Sequence, residues 1–435
     1  MTPRVKRVLV AGMEASGKAA VKFLKAQGAD VVATDLKAIE GLDIPFRIQT
    51  DTLFDEAFDL IVTSPGVPND LPGLERARAR GVKVIGEVEF SAPYLQGKTI
   101  GITGTNGKTT TTSLIAHILR ESGVPVLLGG NIGRPVIDMV ADSRPDQWNV
   151  LELSSFQLET VETFRAHIAV GLNLTQNHLD RHHTMEAYAA AKGNLFRTQK
   201  KEDFAVLNRD DAACEVWSRL SPGRTVWFSS RQAGAPGWSI RGEHVCFEGT
   251  RVMAIEEIPI RGRHNVENTM AASAAAHLAG VPIEKIRDAV RTFKAVEHRL
   301  EFVRRIRGVD FYNDSKATSV DATLKALDSF PGRLWVILGG KDKGSDYRPL
   351  QAPLKEKAHG VFLIGAAAQL IGSHLEKVVP TFAVETIERA VPDAYGRAAD
   401  GDTVLLAPAC ASFDQFKGYE HRGRVFKDLV AGLKE

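Results

Sequence analysis

A chain of 435 residues is too long for one hydrophobic core, so roughly two to four domains are expected. Its 44% hydrophobic and 25% charged residues are ordinary for a soluble globular enzyme, and a net charge of +2 argues against nucleic-acid wrapping or a polybasic membrane role. Cys214, Cys246 and Cys410 lie far apart without a C-x-x-C, and no apolar run is long enough to span a bilayer, so neither a disulfide framework nor membrane insertion is indicated. A reducing cytoplasm fits.

The opening segment superficially resembles a signal peptide, but its apolar stretch is short and is cut by Glu14, so it reads as a first strand. Alternation of β-branched apolar runs with helical periodicity predicts a parallel α/β fold in three blocks. Pro/Gly-bearing joints at 92–97 and 294–299 set the boundaries at 1–93, 94–298 and 299–435. The first block has strands near Val8–Val10, Val31–Thr34 and Leu60–Thr63. It also carries Gly12-Met13-Glu14-Ala15-Ser16-Gly17, a G-x-G-x-x-G pattern with glutamate in the middle position. Asp35 ends the second strand, where a ribose-reading carboxylate belongs in a dinucleotide fold. Glu14 weakens that reading. A nucleotide held differently and a plain strand-turn-helix both stay open.

The second block opens with a strand over 99–103, a glycine-rich loop and a helix over 110–120. Gly101 is one place too early for strict P-loop spacing, because Ile102 occupies the required position, and the tighter run Gly104-Thr105-Asn106-Gly107-Lys108-Thr109-Thr110 fits better. Such a loop turns backbone N–H groups onto phosphate oxygens, the helix N-terminus adds its positive end, and Lys108 supplies a cation. Thr109 offers a hydroxyl to a Mg2+ ion riding on those phosphates, so ATP is the expected ligand. Strands near Val126–Leu128 and Val150–Leu153 follow. Glu152, at the end of the latter, suits a Mg2+ ligand; otherwise it caps the next helix.

Asn177-His178-Leu179-Asp180-Arg181-His182-His183 is rich in imidazole, yet no cysteine is near and ATP chemistry prefers Mg2+, which favours oxygen. Lys192 sits in a helix around Tyr188 and reads as a surface lysine. The stretch 224–260 reads as short strands and hairpins. Asn265 and Asn268 stand one helical turn apart at the head of an alanine-rich helix; Asn265 is equally suited to an N-cap.

The third block has strands near Leu334–Leu338, Val361–Ile364 and Val404–Ala407. Between a strand and a helix stands Asn313-Asp314-Ser315-Lys316-Ala317-Thr318, which suits a phosphate or a charged substrate. Turn formation and capping would account for Asp314 and Thr318 but not for Lys316.

Taken in order, these motifs resemble the Mur ligase family. The matching runs are Gly104 to Thr110, Gly129-Gly130-Asn131-Ile132-Gly133, Glu152 to Leu158, Asn177 to Arg181, Lys192, Gly262 to Asn268, Glu297-His298-Arg299-Leu300-Glu301 and Asn313 to Thr318, covering nearly the whole chain. Asn106 and the run Pro408 to Gly423 point to the branch that adds D-glutamate to UDP-N-acetylmuramoyl-L-alanine. The resemblance implies three domains: a Rossmann-like N-terminal one, a central P-loop ATPase with a mainly parallel sheet, and a Rossmann-like C-terminal one. It also implies an acyl-phosphate route with ATP and two Mg2+ ions.

By the same resemblance, Thr109, Glu152, His178 and a carbamylated Lys192 hold metal, and Ser16, Asp35, Asn131 and His178 face the nucleotide sugar. Asn268, Arg299 and Asp314 reach the adenosine, Lys316 lies near the reacting centre, and Lys343, Ser412 and Tyr419 surround D-glutamate. Lys108, His178, Lys192 and Lys316 form the catalytic set. A cytoplasmic monomer that binds neither nucleic acid nor membrane is expected, with hinge motion at both joints. Glu14 and Ser319 depart from the family pattern, where glycine and asparagine are usual. A folylpolyglutamate-synthase-like ligase shares the ATP core but gives no reason for the first block, and a P-loop switch protein would need no amino acid.

Overall fold

The computed structural model describes residues 7–434 except 235, 295 and 343. Strands Arg7–Ala11, Asp30–Asp35 and Leu60–Thr63 are almost unbroken runs of Val, Leu, Ile, Ala and Thr, as befits strands covered on both faces. They are the middle of a parallel sheet ordered Phe46–Ile48, Asp30–Asp35, Arg7–Ala11, Leu60–Thr63, Lys83–Gly86. Strand alternation divides the core. Val8 and Val10 pack with Val21 and Leu24 of helix Ala15–Ala26, whereas Leu9 and Ala11 pack with Leu74 and Ala77 of helix Pro72–Ala79.

The second sheet is larger. Its order is Thr250–Ala254, His244–Phe247, Trp238–Arg241, Arg224–Ser229, Phe204–Asn208, Ile168–Gly171, Lys98–Thr103, Trp148–Glu152, Val126–Gly130. All pairings are parallel except the hairpins over 238–254, so the short strands expected at 224–260 are present. Parallel strands deliver all their carboxyl ends to one edge, and ligands collect there. The third sheet is ordered Glu301–Ile306, Val309–Asn313, Thr403–Leu406, Leu334–Gly339, Ala358–Ile364, Thr381–Glu385, with only the first pair antiparallel.

The chain divides into two compact units. One comprises residues through Glu257 with Glu267–Arg291 and carries the first two sheets; the other comprises Ile258–Val266 with everything from Thr292 on and carries the third. Within the first unit, two buried acids fasten one sheet body to the other. Glu87 accepts the Ile137 N–H at 2.6 Å, and Glu89 accepts the N–H groups of Glu162, Thr163 and Phe164, each at 3.0 Å. Among the described residues no helix is long and apolar enough to cross a membrane.

Candidate active site

The glycine-rich loop sits at the carboxyl end of strand Lys98–Thr103, in the interior of the second sheet. Helix Lys108–Glu121 starts two residues before the expected Thr110, because Gly107 at φ +84° turns the chain straight into it. A side chain on Gly107 would collide with the Asn268 amide, which therefore lies directly against the loop. Segment 173–175 pins the loop from the other side. Asn173 accepts the Asn106 N–H at 2.9 Å and returns its own amide N–H to the Asn106 carbonyl at 3.1 Å. Thr105 donates through its hydroxyl to the Thr175 carbonyl at 3.1 Å. Lys108 folds back to donate to the carbonyls of Gly104 and Thr105, both at 2.9 Å. Thr109 and Thr110 follow in the first helical turn.

Glu152 ends the adjacent strand and is 2% exposed. Its Oε1 accepts from the Asn131 amide at 3.0 Å, while Oε2 is buried with no hydrogen-bond partner. It does not cap the following helix: Ser155–Leu158 is capped by Ser154 in a capping box with Gln157. A buried carboxylate oxygen left without a donor suits a hard divalent cation. Among the described residues no three His, Cys, Asp or Glu side chains gather as a cage.

Lys192 is not on the surface. Helix Met185–Arg197 turns it inward, where it is 1% exposed and donates to the Gly104 carbonyl at 2.8 Å. The correction has a simple cause. The side of the helix carrying Tyr188, Lys192 and Leu195 faces the sheet, and alanines around the lysine disguise which side that is. Burial, reinforced by the charge of Lys108 and opposed by Glu152, pulls the amine well below the usual lysine range. Tyr188 links this lysine to the phosphate loop, its ring centre 4.7 Å from Lys192 Nζ and its hydroxyl 3.2 Å from Thr105 Oγ1.

His178, at φ +54°, packs its ring against Phe156 with centroids 4.9 Å apart. His182 stacks on the same phenylalanine and contacts Ser155 Oγ at 2.9 Å. Burial, then Arg181 and His178, hold its pKa down to about 4, so it is neutral at pH 7. Ser16, Asp35 and Asn131 line one cavity of about 480 Å³ together with Gln49, Ser64 and Gln157; His178 does not line it. Asp35 accepts the Met13 N–H at 2.6 Å, and a side chain on Gly17 would strike the Gly12 carbonyl, so the first glycine and the last are sterically required while Glu14 needs no special backbone. A larger cavity of about 750 Å³ opens among Phe23, Phe90 and Tyr94 at the amino ends of the strands (Leu60, Lys83, Thr99) and holds none of the motif residues.

In the second unit, strand Val309–Asn313 delivers Asp314, 8% exposed, whose carboxylate accepts the Leu300 N–H at 3.2 Å. Burial pushes its pKa up to about 7 against the pull of that amide and of Arg299. Arg299 sits between His298 and Leu300, both in left-handed backbone. Lys316 lies 3.7 Å from the ring centre of Tyr419, the first residue of helix Tyr419–Gly432. Ser412 is buried, and its carbonyl accepts the Phe416 N–H at 2.8 Å. Lys343 lies outside the described residues. Capping of helix Val320–Asp328 belongs to Ser319, not to Asp314 or Thr318. Asn265 stands inside helix Arg263–Leu278 rather than at its cap and donates to the Arg261 carbonyl at 2.6 Å.

Sequence reasoning missed Asn173 and Thr175 and passed over Tyr188. Their only signal was position: the first two follow the carboxyl end of a parallel strand, Ile168–Gly171.

Comparison with known proteins is consistent along the chain. The Mur ligase middle domain matches residues 102–276, the Mur ligase glutamate ligase domain residues 298–410, and the MurD-like N-terminal domain of Mur ligases residues 6–86. The UDP-N-acetylmuramoylalanine–D-glutamate ligase of Solibacter usitatus is 61% identical, with 98% of each chain covered. The protein of the same name from Acidobacterium capsulatum is 50% identical over 98% of this chain and 96% of its own. Among solved structures, the UDP-N-acetylmuramate-alanine ligase of Thermotoga maritima superimposes with a TM-score of 0.63 at 18% identity, covering 99% and 100% of the two chains. The MurF ligase of the same organism, solved with ADP, gives 0.61 at 17%, covering 98% and 96%. The likeness to those two structures is one of fold; the identity to the first two relatives is of another order. The chain belongs to the Mur ligase family.

Proposed function

We propose that this ligase adds D-glutamate to UDP-N-acetylmuramoyl-L-alanine, using ATP, in cytoplasmic peptidoglycan precursor synthesis. The names of its relatives support the substrates. The observation that carries the chemistry is the meeting of three groups at one phosphate loop: Lys108, the partnerless oxygen of Glu152, and buried Lys192.

A carboxylate does not acylate an amine directly, because oxide would have to leave. The L-alanyl carboxylate oxygen therefore attacks the γ-phosphorus of ATP, the bond to the β-phosphate oxygen breaks, and ADP departs. The D-glutamate nitrogen attacks the acyl carbon, phosphate leaves with the carbon–oxygen electron pair, and the nitrogen loses a proton. Protein work is positioning and charge neutralisation. Amides of Gly104–Thr110 with Lys108 cradle the β- and γ-phosphates. Thr109, Glu152 and His178 would hold Mg2+, which supplies neutralisation of the phosphate charge. Lys192, whose buried amine is pulled well below the usual lysine range, reacts in its free-base form with carbon dioxide and loses a proton to become a carbamate, an anionic oxygen ligand.

Ser16, Asp35 and Asn131 seat the nucleotide sugar, with His178 at its alanyl end. Asn268, Arg299 and Asp314 take the adenosine, Lys316 the reacting centre, and Lys343, Ser412 and Tyr419 the D-glutamate. The working parts divide near residues 93 and 298, act as a monomer, and close on their substrates to exclude water from the acyl phosphate.

Phosphate release is expected only when ATP, UDP-N-acetylmuramoyl-L-alanine and an amino acid are all present, with D-glutamate far better than L-glutamate. Equal nucleotide cleavage without either acceptor, or no hydroxamate when hydroxylamine is added, would overturn the reading.

A further inference from the structure

Helix Tyr419–Gly432 carries a fully buried arginine, Arg422, which lies within the run 408–423 but has been given no role. A guanidinium has five N–H donors, and all five are engaged here. Nε donates to Ser315 Oγ at 3.0 Å, Nη2 to the carbonyls of Ser315 at 2.9 Å and Cys410 at 3.2 Å, and Nη1 to those of Gly339 and Ala411, both at 3.4 Å. Ser315 passes the chain of contacts on, donating its hydroxyl to the Tyr419 carbonyl at 2.8 Å. Gly340 must be glycine, because a side chain there would strike the Ala411 carbonyl and press on the guanidinium.

Every acceptor is neutral. Among the described residues Arg422 takes part in no ion pair; its hydrogen bonds all go to neutral oxygens, and the carboxylate that acts on it, Asp414, does so without a direct contact. Burial pulls its pKa down to about 10, with Cys410 and Asp414 opposing, so it stays charged at pH 7. Buried arginines are usually paired, because an isolated charge in the interior is expensive. A residue acting only as a staple would do better with a carboxylate beside it.

Two of the segments it joins carry the candidate amino-acid residues Ser412 and Tyr419, and the third leads into Lys316, placed above at the reacting centre. Ser315 precedes Lys316, Ala411 precedes Ser412, and Arg422 itself follows Tyr419 by one helical turn. We propose that Arg422 is the positioning residue of the amino-acid pocket, holding the Ser412 and Tyr419 segments in register against Ser315 and keeping beneath them a buried positive charge that favours a dicarboxylate amino acid. This inference rests on the D-glutamate reading above.

Steady-state phosphate release by the full-length enzyme tests it, with Arg422→Lys and Ser315→Ala. Lysine keeps the charge but cannot reproduce the fork. The KM for D-glutamate is expected to rise about 10- to 100-fold in Arg422→Lys, with the KM for ATP and kcat at saturating D-glutamate within about threefold of wild type. Ser315→Ala, which loses one contact to the fork, should shift the same KM in the same direction by about three- to tenfold, and it decides the matter alone if Arg422→Lys does not fold. An unchanged D-glutamate KM, or KM values for all substrates rising together with a falling kcat, would overturn the assignment. Wild-type enzyme that turns over without D-glutamate would instead sink the functional reading on which it rests.

Discussion

Lys192 donates to the carbonyl of Gly104 across 88 positions of sequence, at 2.8 Å. A buried amine is thereby set against the phosphate loop, next to Glu152, in a place where an ammonium is poorly solvated. Lys192→Ala is expected to lose about 100-fold or more in turnover. Lys192→Met should be equally inactive yet fold at least as stably as wild type, since it removes a buried amine that is costly to ionise there and keeps the volume. Thermal unfolding and phosphate release measured on the same samples check both halves. Wild-type enzyme given 13C-bicarbonate should show a carbamate carbon resonance that Lys192→Ala lacks.

Glu152→Gln keeps the acceptor for the Asn131 amide and removes the charge from the buried, partnerless oxygen. The expected result is a drop in turnover of about 100-fold and a rise of about tenfold in the magnesium concentration giving half-maximal rate. Titration of activity against magnesium decides it. An unaltered magnesium profile would remove Glu152 from the metal site.

Gly107→Ala and Gly28→Ala make a matched pair, because both glycines have positive φ, at +84° and +75°. Around Gly28 there is open space, so alanine meets only backbone strain of about 1 kcal/mol. At Gly107 it also displaces the Asn268 amide from the loop. ATP should bind at least tenfold more weakly to Gly107→Ala and within about twofold of wild type to Gly28→Ala, as calorimetry with ATP would show.

Burial pushes Glu87 up to about 7 from an ordinary 4.5. The sign follows from linkage. Below about pH 4.5 the group is protonated in both states and burial carries no ionic penalty. Between about 4.5 and 7 the unfolded chain ionises first, so stability is lost as pH rises, and above 7 the loss is constant. Glu87→Gln retains the acceptor for Ile137 but cannot ionise. Its stability relative to wild type should therefore improve by up to about 3 kcal/mol between pH 4.5 and 8, read from urea unfolding at the two pH values. No change in that difference would mean the carboxyl titrates as it does in water.

The elements that were legible in sequence are those whose cause is local. Strand Lys98–Thr103, the positive-φ glycines and helix Lys108–Glu121 follow from β-branched runs, a loop that only glycine can make and an apolar helical face. The hairpins over 238–254 were readable for the same reason. Lys192 was not, because whether a helix side is buried depends on which sheet it meets. Asn173 and Thr175 were hidden because their bonds run to residues 67 and 70 positions away. Capping was misplaced by one residue, from Thr318 to Ser319, since several neighbouring side chains could accept the same N–H groups. Arg422 lay inside the matching run 408–423, but its part was hidden, because its acceptors are the Ser315 hydroxyl and carbonyls of Ser315, Gly339, Cys410 and Ala411.

Glu87 and Glu89 have a consequence for molecules that might compete with the sugar nucleotide. The cleft holding Ser16 and Asp35 on one wall and Asn131 and Gln157 on the other spans both sheet bodies that these acids tie together. Its two walls are thus already joined before anything occupies it, and closure on a substrate narrows a cleft that is there from the start. An inhibitor built to that outline meets a ready-made mould and need not offset the entropy of bringing two halves together. Severing the chain between the halves would leave two surfaces, neither of which is a receptor.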